Sequence, residues 1–166
     1  MIKILGKLIL TMFNIGKLGS FPGTIASAVT SLLYIIFFYF KIHYLTLFLI
    51  FLLLLLVSIY LINFLKNEFK EVDSKEIVID EYLGQSIPIL FFYIILFEAS
   101  VSTNFFMVIV LISFVGFRFF DILKPYPISY IDRNYKNGFG VVFDDIVAGI
   151  FTTIVLYIFI IIYDKF

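Results

Sequence analysis

From Tyr44 to Leu65 the chain carries no charged residue, and its middle reads Leu52-Leu53-Leu54-Leu55-Leu56-Val57. This run limits the possible folds more than any other feature. A helix that crosses a bilayer needs about 20 mostly apolar residues. Inside lipid, each backbone amide must find its partner within the protein, which favours helices. Four other stretches have similar character, so spans are expected near 25–40, 44–65, 82–97, 101–117 and 146–163. The stretches 25–40 and 82–97 are short, and one of them as a re-entrant segment would leave four crossings. Gln85 and Pro88 interrupt 82–97, and a kink is expected at Pro88. Composition points the same way. Hydrophobic residues make up 63% of the 166 positions and charged residues 14%, against roughly 45–50% and about 25% in soluble domains. The expected fold is an all-α membrane protein, a single domain over residues 1–166.

Residues 1–14 follow another pattern. Lys3, Lys7, Thr11 and Asn14 recur at helical spacing, with Ile4, Leu5, Leu8, Ile9, Met12 and Phe13 between them. An amphipathic helix lying in the membrane interface is expected here. No cleavable signal peptide is expected, because Gly23 and Pro22, not an apolar core, precede Ala26-Ser27-Ala28. Five spans put ten basic residues on one side: Lys3, Lys7, Lys17, Lys66, Lys70, Lys75, Arg118, Lys124, Arg133 and Lys136. Only Lys41 and Lys165 fall on the other side. The bias of basic residues to the inner side then predicts a cytoplasmic N-terminus. The acids gather on the same side, with only Glu98 and Asp164 opposite. Positive charge alone does not require this, and it marks a working face.

The residue inventory excludes several chemistries. The chain has no cysteine and one histidine, His43. Disulfides, thiolate metal sites, cysteine nucleophiles and histidine relays are therefore ruled out. A formal net charge of zero gives no electrostatic reason to expect nucleic acid as a partner.

Four polar clusters border the spans. The first, Gly16 to Thr24, includes Gly19, Gly23 and Pro22. It reads as a loop with Thr24 capping the next helix, or as a backbone cradle for phosphate. The second brings Asp80 and Glu81 to the start of the third span, with Ser74 or Asp73 as a cap and Gly84 one turn on. The third places Arg118 and Asp121 on one helix face, with Lys124 a turn later and Pro125 and Pro127 ending the helix. It reads as a membrane anchor with a local ion pair, or as a phosphate site. The fourth starts the last span with Asp144 and Asp145. A cap needs one acid, and a carboxylate at membrane depth costs about 2.5–3.5 kcal/mol. Together these clusters set carboxylates and cations at three helix ends on one face. Oxygen-only ligands suit a hard cation such as Mg2+. Arg and Lys beside them suit a phosphate carried by a lipid.

Four stretches also resemble a known family: Gly19–Ser27 (GSFPGTIAS), Ile77–Gly84 (IVIDEYLG), Arg118–Ile128 (RFFDILKPYPI) and Gly138–Gly149 (GFGVVFDDIVAG). They are similar to phosphatidylglycerophosphatase A, a bacterial membrane enzyme. That family removes the terminal phosphate of phosphatidylglycerophosphate to leave phosphatidylglycerol. Ala26 and Asn137 stand where the family often has glycine. The resemblance implies Mg2+ dependence, a site facing the cytoplasm in the inner membrane, and a role in phospholipid biosynthesis. The motif positions it carries over are Asp80, Glu81, Arg118, Asp121, Lys124, Asp144 and Asp145. Asp80, Glu81, Asp144 and Asp145 are then expected at the metal, directly or through water, and Arg118 and Lys124 at the phosphate with Gly19 and Thr24. Asp121 is expected to be a metal ligand, a base or a nucleophile. A small ion-coupled transporter is the alternative from another class, and it would want ionisable residues in mid-span. An alcohol phosphotransferase would want a longer series of spaced aspartates.

Overall fold

Runs of Leu, Ile and Phe that leave few polar side chains to compete for the backbone form seven α-helices among the described residues. They are α1 (Ile2–Leu10), α2 (Pro22–Tyr39), α3 (Tyr44–Phe64), α4 (Ile79–Phe97), α5 (Thr103–Leu123), α6 (Ile128–Asn134) and α7 (Gly138–Tyr163). The computed structural model describes residues 2–69, 72, 74–99 and 101–163, with no strand among them. Lys70, Glu71, Asp73, Asp164 and Lys165, which entered the charge asymmetry, lie outside the described residues. Helices α2, α3, α4, α5 and α7 are each long and apolar enough to cross a membrane.

The spans differ from expectation chiefly at their charged ends. Pro22 at the first turn starts α2 earlier than residue 25, so Thr24 lies inside the helix and does not cap it. Helix α4 starts at Ile79 and runs through Pro88 as one helix. Ser74 does not cap it; its Oγ instead accepts from Glu76 N–H at 3.5 Å in the preceding turn. Helix α5 continues past Phe117 to Leu123, which carries Arg118 and Asp121 on regular helix. Helix α7 begins at Gly138, two turns before residue 146, so Asp144 and Asp145 project from within it. Asn137 explains the early start: its Oδ1 accepts from Gly140 N–H at 3.0 Å, a cap for the free amides of the first turn.

Helix α4 is the centre of the bundle. In its spanning window 67% of residues are buried, against 28% in α2, α3 and α5. It packs on α7, α2, α3 and α5. Gly84 allows a close approach to two helices at once: a Cβ there would lie 2.6 Å from Phe117 Cε2 and 2.7 Å from the Asp145 carbonyl oxygen. At the far end, Tyr93 donates to the carbonyls of Phe37 and Ile42, at 3.0 and 2.6 Å. Its ring meets Phe38 and Phe106 edge-on. His43 stays in this distal turn, where Nδ1 accepts from Leu45 N–H at 3.2 Å. The outward faces of α3, α5 and α7 expose Leu49, Leu53, Leu56, Leu111, Val115 and Val155. That much unpartnered apolar surface fits lipid and does not fit water.

Helix α1 covers only part of the expected 1–14 segment. It ends at Leu10, and Met12, Phe13 and Asn14 then take left-handed φ values of 44°, 57° and 71°. This turn brings the chain under α4, where Val78 N–H donates to the Leu10 carbonyl at 3.0 Å. Gly6 packs on Leu61 and Leu65, while Lys3 and Lys7 reach Glu68 at 2.8 and 3.1 Å.

Candidate active site

Three helices meet at the end of the bundle where α4 and α7 begin and α5 ends. The Gly84 contact fixes their spacing and thereby the side chains around it. Asp80 and Glu81 come from the first turn of α4, and Asp145 comes from α7. Each offers a carboxylate oxygen, and the three oxygens lie within 4.8 Å of one another. Asp80 and Asp145 are 7% and 4% exposed. Asp80 Oδ1 and Glu81 Oε2 are buried with no hydrogen-bond donor among the described residues. Three carboxylates at such range repel strongly in a low dielectric. Their donor set is hard oxygen only, with unfilled acceptor positions, and it fits a cation such as Mg2+.

Helix α5 supplies the opposing charges. Arg118 Nη1 stands 2.5 Å from Asp121 Oδ2, one turn apart on a shared face. The approach lies off the N–H direction, so this is an ion pair without an aligned hydrogen bond. Arg118 Nε is buried with no acceptor among the described residues. The Arg118 guanidinium faces Glu81, and Asp121 faces both Glu81 and Asp145.

Asp144, expected beside Asp145 at the metal, lies outside the three-carboxylate group. Its Oδ2 accepts from Lys124 Nζ at 2.7 Å. Neighbours on a helix point about 100° apart, so the two aspartates address different partners. Lys124 caps α5 with φ 43° and ψ 57°, in the left-handed region that costs a residue with a Cβ about 1–2 kcal/mol. A second carboxylate, Asp132 from α6, meets the same ammonium at 3.0 Å, and Lys136 stands 3.7 Å from Asp132. Burial opposes the charge on Lys124, yet Asp144 and Asp132 together hold the amine above the usual lysine range. Burial likewise works against the Asp132 carboxylate, but Lys124 and then Lys136 hold it below the usual range.

From the glycine loop, Gly23 is the residue brought against the Glu81 carboxylate, with no room for a side chain between them. Gly19 is exposed with φ 68°, and an added Cβ there would meet only Ile25. Thr24 lines a shallow apolar groove with Ile25, Ala28 and Leu32, apart from the carboxylates. Two polar residues were not assigned to the site from the sequence. Asp132 entered the sequence reading only as one of the acids on the cytoplasmic side. Gln85, one turn beyond Glu81, looked like a polar break in a span. It is fully buried, and neither its Oε1 nor its Nε2 has a partner among the described residues. An apolar cavity of about 340 Å3 is lined by Ile79 and Tyr82, which flank Asp80 and Glu81 in the first turn of α4, with Ile9, Met12, Val29 and Leu54.

Relatives of known name share sequence with this chain. A protein of Haemophilus influenzae named phosphatidylglycerophosphatase A is 40% identical over 85 residues, 51% of this chain and 46% of its own length. The Escherichia coli protein of that name is 33% identical over 101 residues, 61% of this chain and 53% of its own. The matched stretches thus span about half the length of these two relatives. A Bacteroides thetaiotaomicron protein, provisionally named a phosphatidylinositol-3-phosphatase, is 29% identical over 152 residues, 90% of this chain and 89% of its own. No solved structure matches the chain. The phosphatidylglycerophosphatase A family model matches residues 8–160, nearly the whole chain. With five apolar helices of spanning length, the chain is a multi-pass membrane protein that belongs to the phosphatidylglycerophosphatase A family.

Proposed function

We propose that the protein is a Mg2+-dependent lipid phosphatase that hydrolyses phosphatidylglycerophosphate to phosphatidylglycerol and phosphate at the cytoplasmic face of the inner membrane. The observation that carries this reading is the trio of buried Asp80 and Asp145 with half-buried Glu81, beside the Arg118–Asp121 pair. The family match over residues 8–160 supports the substrate class. The apolar cavity next to Ile79 and Tyr82 suits a substrate whose tail stays in the bilayer.

In this reading Asp80, Glu81 and Asp145 hold the cation. Bound there, Mg2+ supplies Lewis acidity to a phosphoryl oxygen and acidifies a coordinated water. Arg118 donates through Nε to the phosphate and stabilises charge that develops as the P–O bond to the lipid alcohol breaks. Asp121, held by Arg118 and facing Asp145, orients the attacking water and accepts its proton. Lys124 binds a second phosphate oxygen, and Asp144 serves Lys124 in place of the metal. Gly23 replaces Gly19 and Thr24 as the loop residue that shapes the site, by leaving Glu81 space to turn inward. Helix α1 lies at the membrane interface with Ile2, Ile4 and Leu5 toward lipid.

The test is phosphate release by the purified protein from phosphatidylglycerophosphate and from phosphatidylinositol 3-phosphate, in the same detergent with Mg2+. Faster release from the glycerol lipid by at least about tenfold in kcat/KM, about 1.4 kcal/mol of discrimination, is expected. Preference for the inositol lipid would transfer the assignment to the headgroup named in the Bacteroides relative. Release from neither lipid by folded protein would refute the phosphatase reading.

A further inference from the structure

We propose that Asp132 of α6 is a positioning residue: with Asp144 it forms a two-carboxylate fork that fixes the Lys124 ammonium for a phosphate monoester. This rests on the phosphatase reading above and deepens it. The geometry comes from three separate elements. Lys124 sits at the end of α5, Asp132 comes from α6 and Asp144 from α7. Lys124 Nζ lies 3.0 Å from Asp132 Oδ1 and 2.7 Å from Asp144 Oδ2. An ammonium has three N–H donors. The hydrogen bond to Asp144 and the ion pair with Asp132 hold the ammonium between two elements, and a remaining donor is assigned to a phosphate oxygen.

An ordinary surface ion pair contributes little, and the Lys124 fork differs from one in two ways. The first is backbone conformation. Lys124 occupies the left-handed position after a helix, where glycine or asparagine is the unstrained choice. Lysine there carries the strain of that conformation and sets its ammonium between two carboxylates. The second is the construction of α6. The chain turns through Pro125 and Pro127 directly after Lys124, and the seven-residue helix that follows buries Ile128 and Ile131. Ile128 packs with Phe117 and Ala148, the inner faces of α5 and α7. With Ile128 and Ile131 anchored inward, Asp132 is carried back over the lysine that opened the turn. Lys136, 3.7 Å from Asp132, brings the cluster of two lysines and two carboxylates to formal neutrality, so no excess negative charge stands against a phosphate.

The experiment compares wild type, Asp132→Asn, Asp132→Glu and Lys124→Met in detergent. It reads KM and kcat for phosphatidylglycerophosphate, Ki for inorganic phosphate, and the thermal midpoint. Asp132→Asn keeps the shape of the side chain, so the fold is preserved. The expected result is a five- to tenfold rise (on the order of one decade) in both KM and Ki, kcat within about twofold, and an unchanged midpoint. Asp132→Glu is expected to recover part of both constants. A rise in KM alone would mean that α6 touches the lipid and not the phosphate, and would overturn the fork. So would unchanged constants with a lowered midpoint, the mark of a brace. Loss of kcat with the midpoint intact would put Asp132 in the chemistry itself and also overturn the proposal. Full activity of Lys124→Met would remove the phosphate role of the lysine while leaving the phosphatase reading standing. A wild-type protein that releases no phosphate would sink that reading, and the fork with it.

Discussion

Asp144 and Asp145 are adjacent in the chain and diverge in space, because a helix turns each residue about 100° from the last. The sequence shows two acids at the edge of a span and suggests one shared task. Asp145 turns to Asp80 and Glu81, whereas Asp144 turns to Lys124. Which acid did which depended on where α7 began, and that start was hidden in the cap formed by Asn137. Gln85 illustrates a different limit. One sequence shows a polar residue within an apolar run, but whether its amide finds a partner depends on the helices packed around it. A buried amide without partners costs about 1–3 kcal/mol, so Gln85→Leu is expected to melt no earlier than wild type. If the amide serves the site, the same variant loses about tenfold in kcat/KM, or about 1.4 kcal/mol. Melting and phosphate release on one preparation check both parts.

Helices were legible where apolar runs were long and uninterrupted. Tyr44–Phe64 agrees with the expected 44–65 to one residue. The charged ends were less legible, since Arg118, Asp121, Asp144 and Asp145 look like the limits of spans when they lie on continuous helix. Gly84 is where this continuity matters most, because it sets α4 against both α5 and α7. Gly84→Ala forces a methyl group into Phe117 and the Asp145 backbone, and is expected to destabilise the protein by about 1–3 kcal/mol. Thermal unfolding in detergent measures it. Helix α1 should respond to pH. Hydrogen bonds from Lys3 and then Lys7 hold the Glu68 carboxyl below the usual range. A folded-state value depressed in this way stabilises above the unfolded value of roughly 4.3. The stabilisation is lost as pH falls through the folded value. Protection of residues 2–10 against amide exchange, taken relative to the intrinsic rate at each pH, is therefore expected to fall on acidification below about pH 4, and Glu68→Gln should remove the change.

For the whole molecule, the decisive feature is that polar chemistry collects at one end of an apolar bundle. The sequence carried this well, through the number of spans and the placement of charge. It did not carry the return of α6 over Lys124, which depends on Ile128 finding Phe117 of α5 and Ala148 of α7 and on the burial of Ile131. The absence of cysteine makes orientation directly testable. Single cysteines at Lys41 and Lys136 are expected to react with a membrane-impermeant thiol reagent from opposite sides. Lys41→Cys should label in intact cells, and Lys136→Cys only after the membrane is opened. The central claim, that the carboxylate trio of Asp80, Glu81 and Asp145 holds the metal of a lipid phosphatase, is tested most directly by titrating phosphatidylglycerophosphate hydrolysis with Mg2+ in wild type and Asp145→Asn. The account predicts no release without Mg2+, saturable activation of the wild type, and at least about a hundredfold loss, about 2.7 kcal/mol, in the folded variant. Metal-independent release, or a variant with the activation curve of the wild type, would contradict it.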